Sequence, residues 1–297
     1  MGVKEILITG GAGFVGSNLI EYLLNKTNYN IISLDNYSSG FKKNHIKSLR
    51  VKYLKGDTKN ISKIFEKKTF NKVFHFGEFS RIFQSFKKIK QCLQSNIVGS
   101  LEVIKFCSNK KIKLIYSGSS SIFGNSMEDQ NLSPYAWTKS KNIELIKNFS
   151  KWYGLEYVIT YFYNVYGPRQ ILKGEMTAVV GKFMSNYKKN IPLPIVKPGN
   201  YKRDFTHVED IVIACYLASE KKSGKEFFLG TGKLITIKKL AKLFKHKIKY
   251  IPQRKGERLG TAAELNVGFK ILKHAPLNNI EDYIKQFITK NKKKTHL

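Results

Sequence analysis

Three glycines at three-residue spacing, Gly10, Gly13 and Gly16, sit between the apolar run Ile6-Leu7-Ile8-Thr9 and the amphipathic stretch Phe14 to Asn25. Ile6–Thr9 reads as a strand, and Phe14 to Asn25 reads as a helix opened by glycine. Glycine permits a tight turn and lets a ligand approach the backbone closely. The free N–H groups and partial positive charge of a helix N-terminus then attract phosphate. Strand, glycine turn and helix in that order make the pyrophosphate cradle of a dinucleotide-binding unit. Asp35 closes a second strand, Ile31-Ile32-Ser33-Leu34-Asp35, about 20 residues on. Its carboxylate can accept from the adenine ribose hydroxyls and would repel a 2′-phosphate, which favours NAD over NADP. Asp57, in Gly56-Asp57-Thr58, is placed either to reach the adenine or to cap a helix.

The alternation continues through the first half. Strands are expected at Val51–Leu54, Val73–Phe76, Lys113–Tyr116 and Tyr157–Thr160, with helices near Ile61 to Lys67, Leu93 to Ser108 and Tyr135 to Tyr153. β-branched runs alternating with helices predict an α/β fold, a Rossmann-like doubly wound parallel sheet covered on both faces. After about Asn164 the rhythm breaks, and Pro168, Pro192, Pro194 and Pro198 punctuate the chain. The expected division is a dinucleotide-binding domain over 1–164 and a smaller mixed α/β substrate lobe over 165–290. A Lys-rich tail over 291–297 is expected to fray beyond Lys290, and Phe227-Phe228-Leu229 should return as a strand to the main sheet.

Two further groups of residues carry chemistry. Tyr135 and Lys139 lie four apart, hence one turn apart on one helix face. An ammonium beside a phenol favours the phenolate, which suits it to exchange a proton with a sugar hydroxyl. The run Ser117-Gly118-Ser119-Ser120-Ser121 directly follows a strand, so its hydroxyls belong at the carboxyl edge of the sheet, where open α/β sheets bind ligands.

Together these motifs resemble the extended short-chain dehydrogenase/reductase superfamily, in its NAD-dependent epimerase/dehydratase family, over nearly the whole chain. Supporting landmarks are Asp35-Asn36, His75-Phe76-Gly77, Asn96 to Ser100, Asn164 to Arg169, Arg203-Asp204-Phe205 and Arg254 to Glu257. The chain looks most like the nucleotide-sugar 4-epimerases of the UDP-glucose 4-epimerase type. The resemblance implies Ser119, Tyr135 and Lys139 as catalytic residues, with Lys139 also holding the nicotinamide ribose. It implies NAD contacts from Gly10, Gly13, Phe14, Val15 and Gly16 at the turn. Others would come from Asp35, Asn36, Asp57, Phe76, Asn96, Tyr135 and Lys139. Ser119, Asn164, Arg203, Arg254 and Glu257 are the implied nucleotide-sugar contacts, the arginines because forked guanidiniums suit a diphosphate. A homodimer through the long helices Leu93–Ser108 and Tyr135–Tyr153 is implied in the same way.

Some positions depart from the family. Sugar 4,6-dehydratases usually carry Asp-Glu after the catalytic serine, and UDP-glucuronate decarboxylases keep the Glu; here both positions are serine, Ser120 and Ser121. That favours C4 epimerisation of UDP-glucose/UDP-galactose or their N-acetyl forms, with GDP-, dTDP- or ADP-linked sugars as the alternative. Glu78 stands where a small residue is common, and Thr261 falls at a position that gates hexose size.

A formal net charge of +32 raises a different reading, an RNA-binding member without catalysis. Lysine is scattered from end to end and is not interleaved with aromatics, and the catalytic set is intact, so no nucleic-acid partner is expected. No stretch approaches a membrane span and no signal peptide precedes the first strand, so a cytoplasmic protein is expected. Cys92, Cys107 and Cys215 form no CxxC pair and imply neither a metal site nor an oxidising compartment. His75 and His207 are read as structural, and Phe79, Phe83 and Phe86 as packing.

Overall fold

A computed structural model describes residues 4–124, 131–257, 260 and 267–292. The chain begins with β1 (Glu5–Thr9), α1 (Phe14–Lys26), β2 (Asn30–Asp35), β3 (Val51–Lys55), α2 (Ile61–Ile64) and β4 (Lys72–His75). Next come α3 (Ile82–Lys87), α4 (Ile89–Leu93), α5 (Ser100–Asn109), β5 (Lys113–Ser119), α6 (Pro134–Tyr153) and β6 (Tyr157–Phe162). The remainder is β7 (Asn164–Tyr166), α7 (Val179–Lys188), β8 (Leu193–Val196), β9 (Lys202–His207), α8 (Val208–Ser219) and β10 (Lys225–Leu229), then β11 (Leu234–Thr236), α9 (Ile237–Leu243), β12 (Ile248–Ile251), α10 (Val267–Ile271) and α11 (Ile280–Lys292).

Seven parallel strands form one sheet in the order β10-β6-β5-β4-β1-β2-β3. The two-residue period of a strand sends alternate side chains to opposite faces. Leu7, Leu114, Tyr116 and Ile159 enter one core, against Ile61, Val103, Phe106 and Ile146 of the helical layer. Ile6, Ile8, Ile115 and Val158 enter the other, against Leu19, Leu23, Ile211 and Phe269. Burial on both faces is why the strands read as unbroken apolar runs. A third core around Phe183, Leu193, Phe205 and Phe244 packs the three-stranded sheet β11-β9-β7 and the pair β12-β8. No described helix is long and apolar enough to cross a membrane.

The expected strands and the return of Phe227-Phe228-Leu229 are present, the latter as β10 paired with β6. The helical expectations need correction in four places. Ile61 to Lys67 supplies one helical turn, ending at Ile64, preceded by a 3-10 turn. The helix expected over Leu93 to Ser108 is α4 joined to α5 through a π-helical segment, Gln94–Gly99. Helix α3 was not expected, because Ile82-Phe83-Gln84-Ser85-Phe86 carries no clear period of either kind. The last helix runs to Lys292, past the point where fraying was expected, and residues 293–297 lie outside the described residues.

Phe227 is 2% exposed and lies in the second core. Phe227→Ala should cost about 3–5 kcal/mol of unfolding free energy in denaturant titrations. A loss below about 1 kcal/mol would mean that β10 lies outside the cooperative core.

Candidate active site

Strand order reverses at β1, which has β4 on one side and β2 on the other. Crossovers to the two sides leave a crevice at the carboxyl ends of these strands. A cleft of about 670 Å3 opens there, within the usual range for a ligand site.

The glycine turn forms its floor. Gly10 adopts φ +71°, and a Cβ there would sit 2.8 Å from Gly77 N. A Cβ on Gly16 would sit 2.3 Å from Gly10 O, so α1 packs against the turn only without a side chain. Gly13 caps α1 with no side-chain hydrogen bond, and the first turn holds no acidic residue. The first-turn N–H groups beside the cleft are thus left for an anion. Asp35 lines the cleft and also pins the turn: its Oδ2 accepts from Ala12 N at 2.9 Å and its Oδ1 from Tyr37 N at 2.7 Å. Burial raises the Asp35 pKa, and these two N–H donors oppose that rise.

At the end of β5 the chain delivers Ser117, Gly118 and Ser119 to the cleft. Ser119 Oγ accepts from Ser121 N at 3.2 Å and caps the following 3-10 turn. Ser121 Oγ is buried beside the cleft with no hydrogen-bond partner among the described residues, a polar atom that a polar ligand would satisfy. Tyr135 and Lys139 come from the first turns of α6. That helix is set by Pro134 at its first position, by Ser133 Oγ accepting from Ala136 N at 3.1 Å, and by Gly154 in the left-handed conformation at its end. Tyr135 N donates to Ser85 Oγ at 3.2 Å, which docks α3 on the start of α6.

The Lys139 ammonium is held by the Glu78 carboxylate and by the Ser117 carbonyl, and it stands 4.7 Å above the Tyr116 ring. Glu78 Oε1 accepts from Ser100 Oγ at 2.9 Å, Tyr116 OH at 2.9 Å and Asn142 Nδ2 at 3.1 Å. His75 Nε2 meets Ser100 Oγ at 2.9 Å and His75 Nδ1 meets Thr9 Oγ1 at 2.6 Å. Burial lowers the His75 pKa to about 4, so the ring is neutral near pH 7.

Of the residues singled out from sequence, the cleft gathers Gly10, Gly13, Phe14, Val15, Gly16, Asp35, Asn36 and Phe76 on the cofactor side. It also gathers Ser119, Tyr135, Lys139, Asn164, Arg203, Arg254 and Glu257. Two do not reach it. Asp57 caps the 3-10 turn after β3, through Oδ1 with Lys59 N, and its Oδ2 accepts from Asn36. Asn96 is fully buried, exchanging hydrogen bonds with the Phe79 backbone and donating to Thr138 Oγ1. Arg203 Nη2 lies 3.2 Å from Glu257 Oε1, so these two line the cleft as an ion pair. Thr261 lies outside the described residues.

Sequence reasoning missed the roles of Glu78, Arg81 and Phe83. Arg81 lines the cleft and donates to the Met176 and Ser80 carbonyls. Phe83 also lines it, with the Arg254 guanidinium 5.4 Å over its ring, whereas Phe79 is packed against Cys92 and Tyr135. An unexpected carboxylate at Glu78 was the one signal that could have been followed. His207 caps α8 by accepting from Glu209 N at 3.3 Å.

A model of the NAD dependent epimerase/dehydratase family matches residues 6–230. A putative UDP-glucose 4-epimerase of Methanocaldococcus jannaschii is 31% identical over 82% of this chain and 82% of its own. The UDP-glucose 4-epimerase of Thermotoga maritima, solved with UDP-glucose, is 28% identical and superposes with a TM-score of 0.89 over 99% of this chain and 100% of its own. A UDP-N-acetylglucosamine 4-epimerase of Methanobrevibacter ruminantium, solved with UDP-N-acetylmuramic acid, is 27% identical, with a TM-score of 0.86 over 98% of each chain.

Two tests follow from the geometry. Gly16→Ala should weaken NAD binding at least about tenfold by calorimetry, because the added methyl displaces the turn. His75, with its pKa lowered to about 4, takes up a proton more readily in the unfolded chain. Its contribution to stability is therefore complete above about pH 6.5 and is lost as pH falls towards 4. Between pH 7 and 5 it should account for about 2 kcal/mol of lost stability, a loss that denaturant titrations of His75→Gln should lack.

Proposed function

Because this chain belongs to the NAD-dependent epimerase/dehydratase family, we propose that it inverts C4 of a nucleotide-linked hexose, UDP-glucose/UDP-galactose or their N-acetyl forms, through a 4-keto sugar. The observation that carries the reading is one cleft lined by the glycine turn, by Ser119, Tyr135 and Lys139, and by Arg203 and Arg254. The residues present fit the family's NAD: an uncapped helix N-terminus for the pyrophosphate and Asp35 at the end of β2 for the adenine ribose. When bound, NAD supplies a reversible hydride acceptor.

The chain's own residues handle the proton and the oxygen. Tyr135, as phenolate, removes the proton from the sugar 4-hydroxyl and later returns it. Ser119 Oγ donates a hydrogen bond to the reacting oxygen. Lys139 supplies positive charge beside the phenol and an N–H for the nicotinamide ribose. Arg203 and Arg254 bind the diphosphate, and Asn164 and Glu257 position the nucleotide sugar. The two positions after Ser119 are serines, Ser120 and Ser121, and not the Asp-Glu pair that would serve the elimination of water.

A second reading keeps the chemistry and changes the sugar, to an acid-bearing hexose. It is favoured by Arg81 in the cleft and by the relative solved with UDP-N-acetylmuramic acid. We also propose a homodimer through α5 and α6, since α6 exposes Trp137, Trp152 and Tyr153; light scattering should give twice the chain mass.

Purified protein should retain NAD and interconvert the C4 epimers of at least one UDP-hexose, read by product chromatography over a panel of nucleotide sugars. Tyr135→Phe should lower kcat by about 100- to 10,000-fold. Full turnover by that variant would refute the acid–base assignment.

A further inference from the structure

The geometry points to Glu78 as a positioning residue for the catalytic pair: it anchors and neutralises Lys139, so that Tyr135 works beside an ion pair and not beside a bare ammonium. This inference rests on the reading of Tyr135 as the acid–base group. Its grounds are burial, donor count and proton direction.

The Glu78 side chain is 2% exposed and that of Lys139 is 4% exposed. A lone carboxylate that deep would be costly; here four donors converge on it, three of them neutral. An ammonium has three N–H groups. Glu78 and the Ser117 carbonyl take two, which leaves the third, with only Ser117 Oγ at 3.5 Å among the described residues, for a ligand in the cleft that Lys139 lines. Without Glu78, Lys139 has no other carboxylate within ion-pair distance among the described residues.

The direction of the proton chain also ends on Glu78 as an acceptor. Thr9 Oγ1 accepts from Phe76 N and Gly77 N, so its own proton goes to His75 Nδ1. The neutral ring then carries its proton on Nε2 and donates to Ser100 Oγ, and Ser100 donates to Glu78. The chain of donors runs one way, from beside Gly10 to the carboxylate.

Removing the Glu78 charge should leave the ammonium uncompensated and so favour the Tyr135 phenolate. The titratable groups facing this site are Lys139 and Tyr135 on α6, Tyr116 on β5, His75 on β4, Cys92 on α4 and Arg81 on the loop after Glu78. Burial holds His75 neutral, raises the Cys92 thiol to about 11, raises the Tyr116 phenol and lowers the Arg81 guanidinium, which stays cationic because a guanidinium does not deprotonate in proteins. Between about pH 5 and 9 none of these four changes charge, so a shift in that window reports on the Glu78–Lys139–Tyr135 set.

The test uses the NAD-loaded enzyme and Glu78→Gln. Tyrosinate absorbance, taken as the difference from a Tyr135→Phe version of each protein, gives the titration of Tyr135 without turnover. The acid limb of kcat/KM against pH gives it during turnover. Both should move to lower pH by about one unit in Glu78→Gln. A loss of thermal stability with neither curve moved would overturn the inference and leave Glu78 a packing residue. If Tyr135→Phe turns over normally, the acid–base reading fails instead, a result separable from either outcome for Glu78. Where Glu78→Gln folds poorly, the double variant E78Q/K139M should be more stable than either single variant, and equal or lower stability would overturn the ion pair.

Discussion

The Thr9–His75 hydrogen bond ties β1 to β4 at the point where strand order reverses. Both walls of the cleft depend on that junction. On one side Thr9 leads into Gly10, whose backbone must lie within van der Waals reach of Gly77. On the other side His75 leads through Phe76 and Gly77 to Glu78, and Thr9 Oγ1 accepts from both intervening N–H groups. The glycine turn is thus fitted to the loop that carries Glu78, and the cofactor floor and the carboxylate that holds Lys139 are set by one junction.

Much of this was legible in sequence, for physical reasons. Parallel strands buried on both faces leave long apolar runs, so β1, β2, β5 and β6 could be read at once. The turn at Gly10 to Gly16 is local: spacing, strand and helix are adjacent in the chain. Tyr135 and Lys139 were readable because helical periodicity alone places them together. The same logic failed where contacts are remote. Asn96 stands in a recognisable segment, yet its amide is spent on the Phe79 backbone, a partner 17 residues away that no periodicity reveals. Asp57 was ambiguous between cap and ligand, and its contacts are those of a cap. Helix α3 escaped because its packing on α6 through Ser85 and Tyr135 is tertiary.

The surplus of cations has a local counterpart. Arg81, Lys139, Lys182, Arg203, Arg254 and Lys255 line the cleft against Asp35, Glu78, Glu175 and Glu257, with Arg203 paired to Glu257 and Lys139 to Glu78, so cations remain in excess. A positive cleft focuses the field on an anionic ligand and raises its encounter rate, an effect that salt weakens. The scattered lysines on the remaining surface need no such role. Most of the ion pairs they form are exposed, and exposed pairs contribute little to stability.

Glu78 departs from the pattern of exposed pairs, because its ion pair is buried. Burying two charges costs more than their attraction returns unless every lone pair and proton is matched, and even then an apolar pair of equal volume is often as stable. Stability is therefore a weak reason for placing a carboxylate there. The matching is nonetheless nearly complete: Ser100, Tyr116, Asn142 and Lys139 all point at it, from three different elements. Such convergence fixes the ammonium in one place and sets how much of its charge Tyr135 meets. A residue that adjusts an acid–base group in this way need never touch the substrate, which is why its importance is visible in the donor count and not in the cleft contacts.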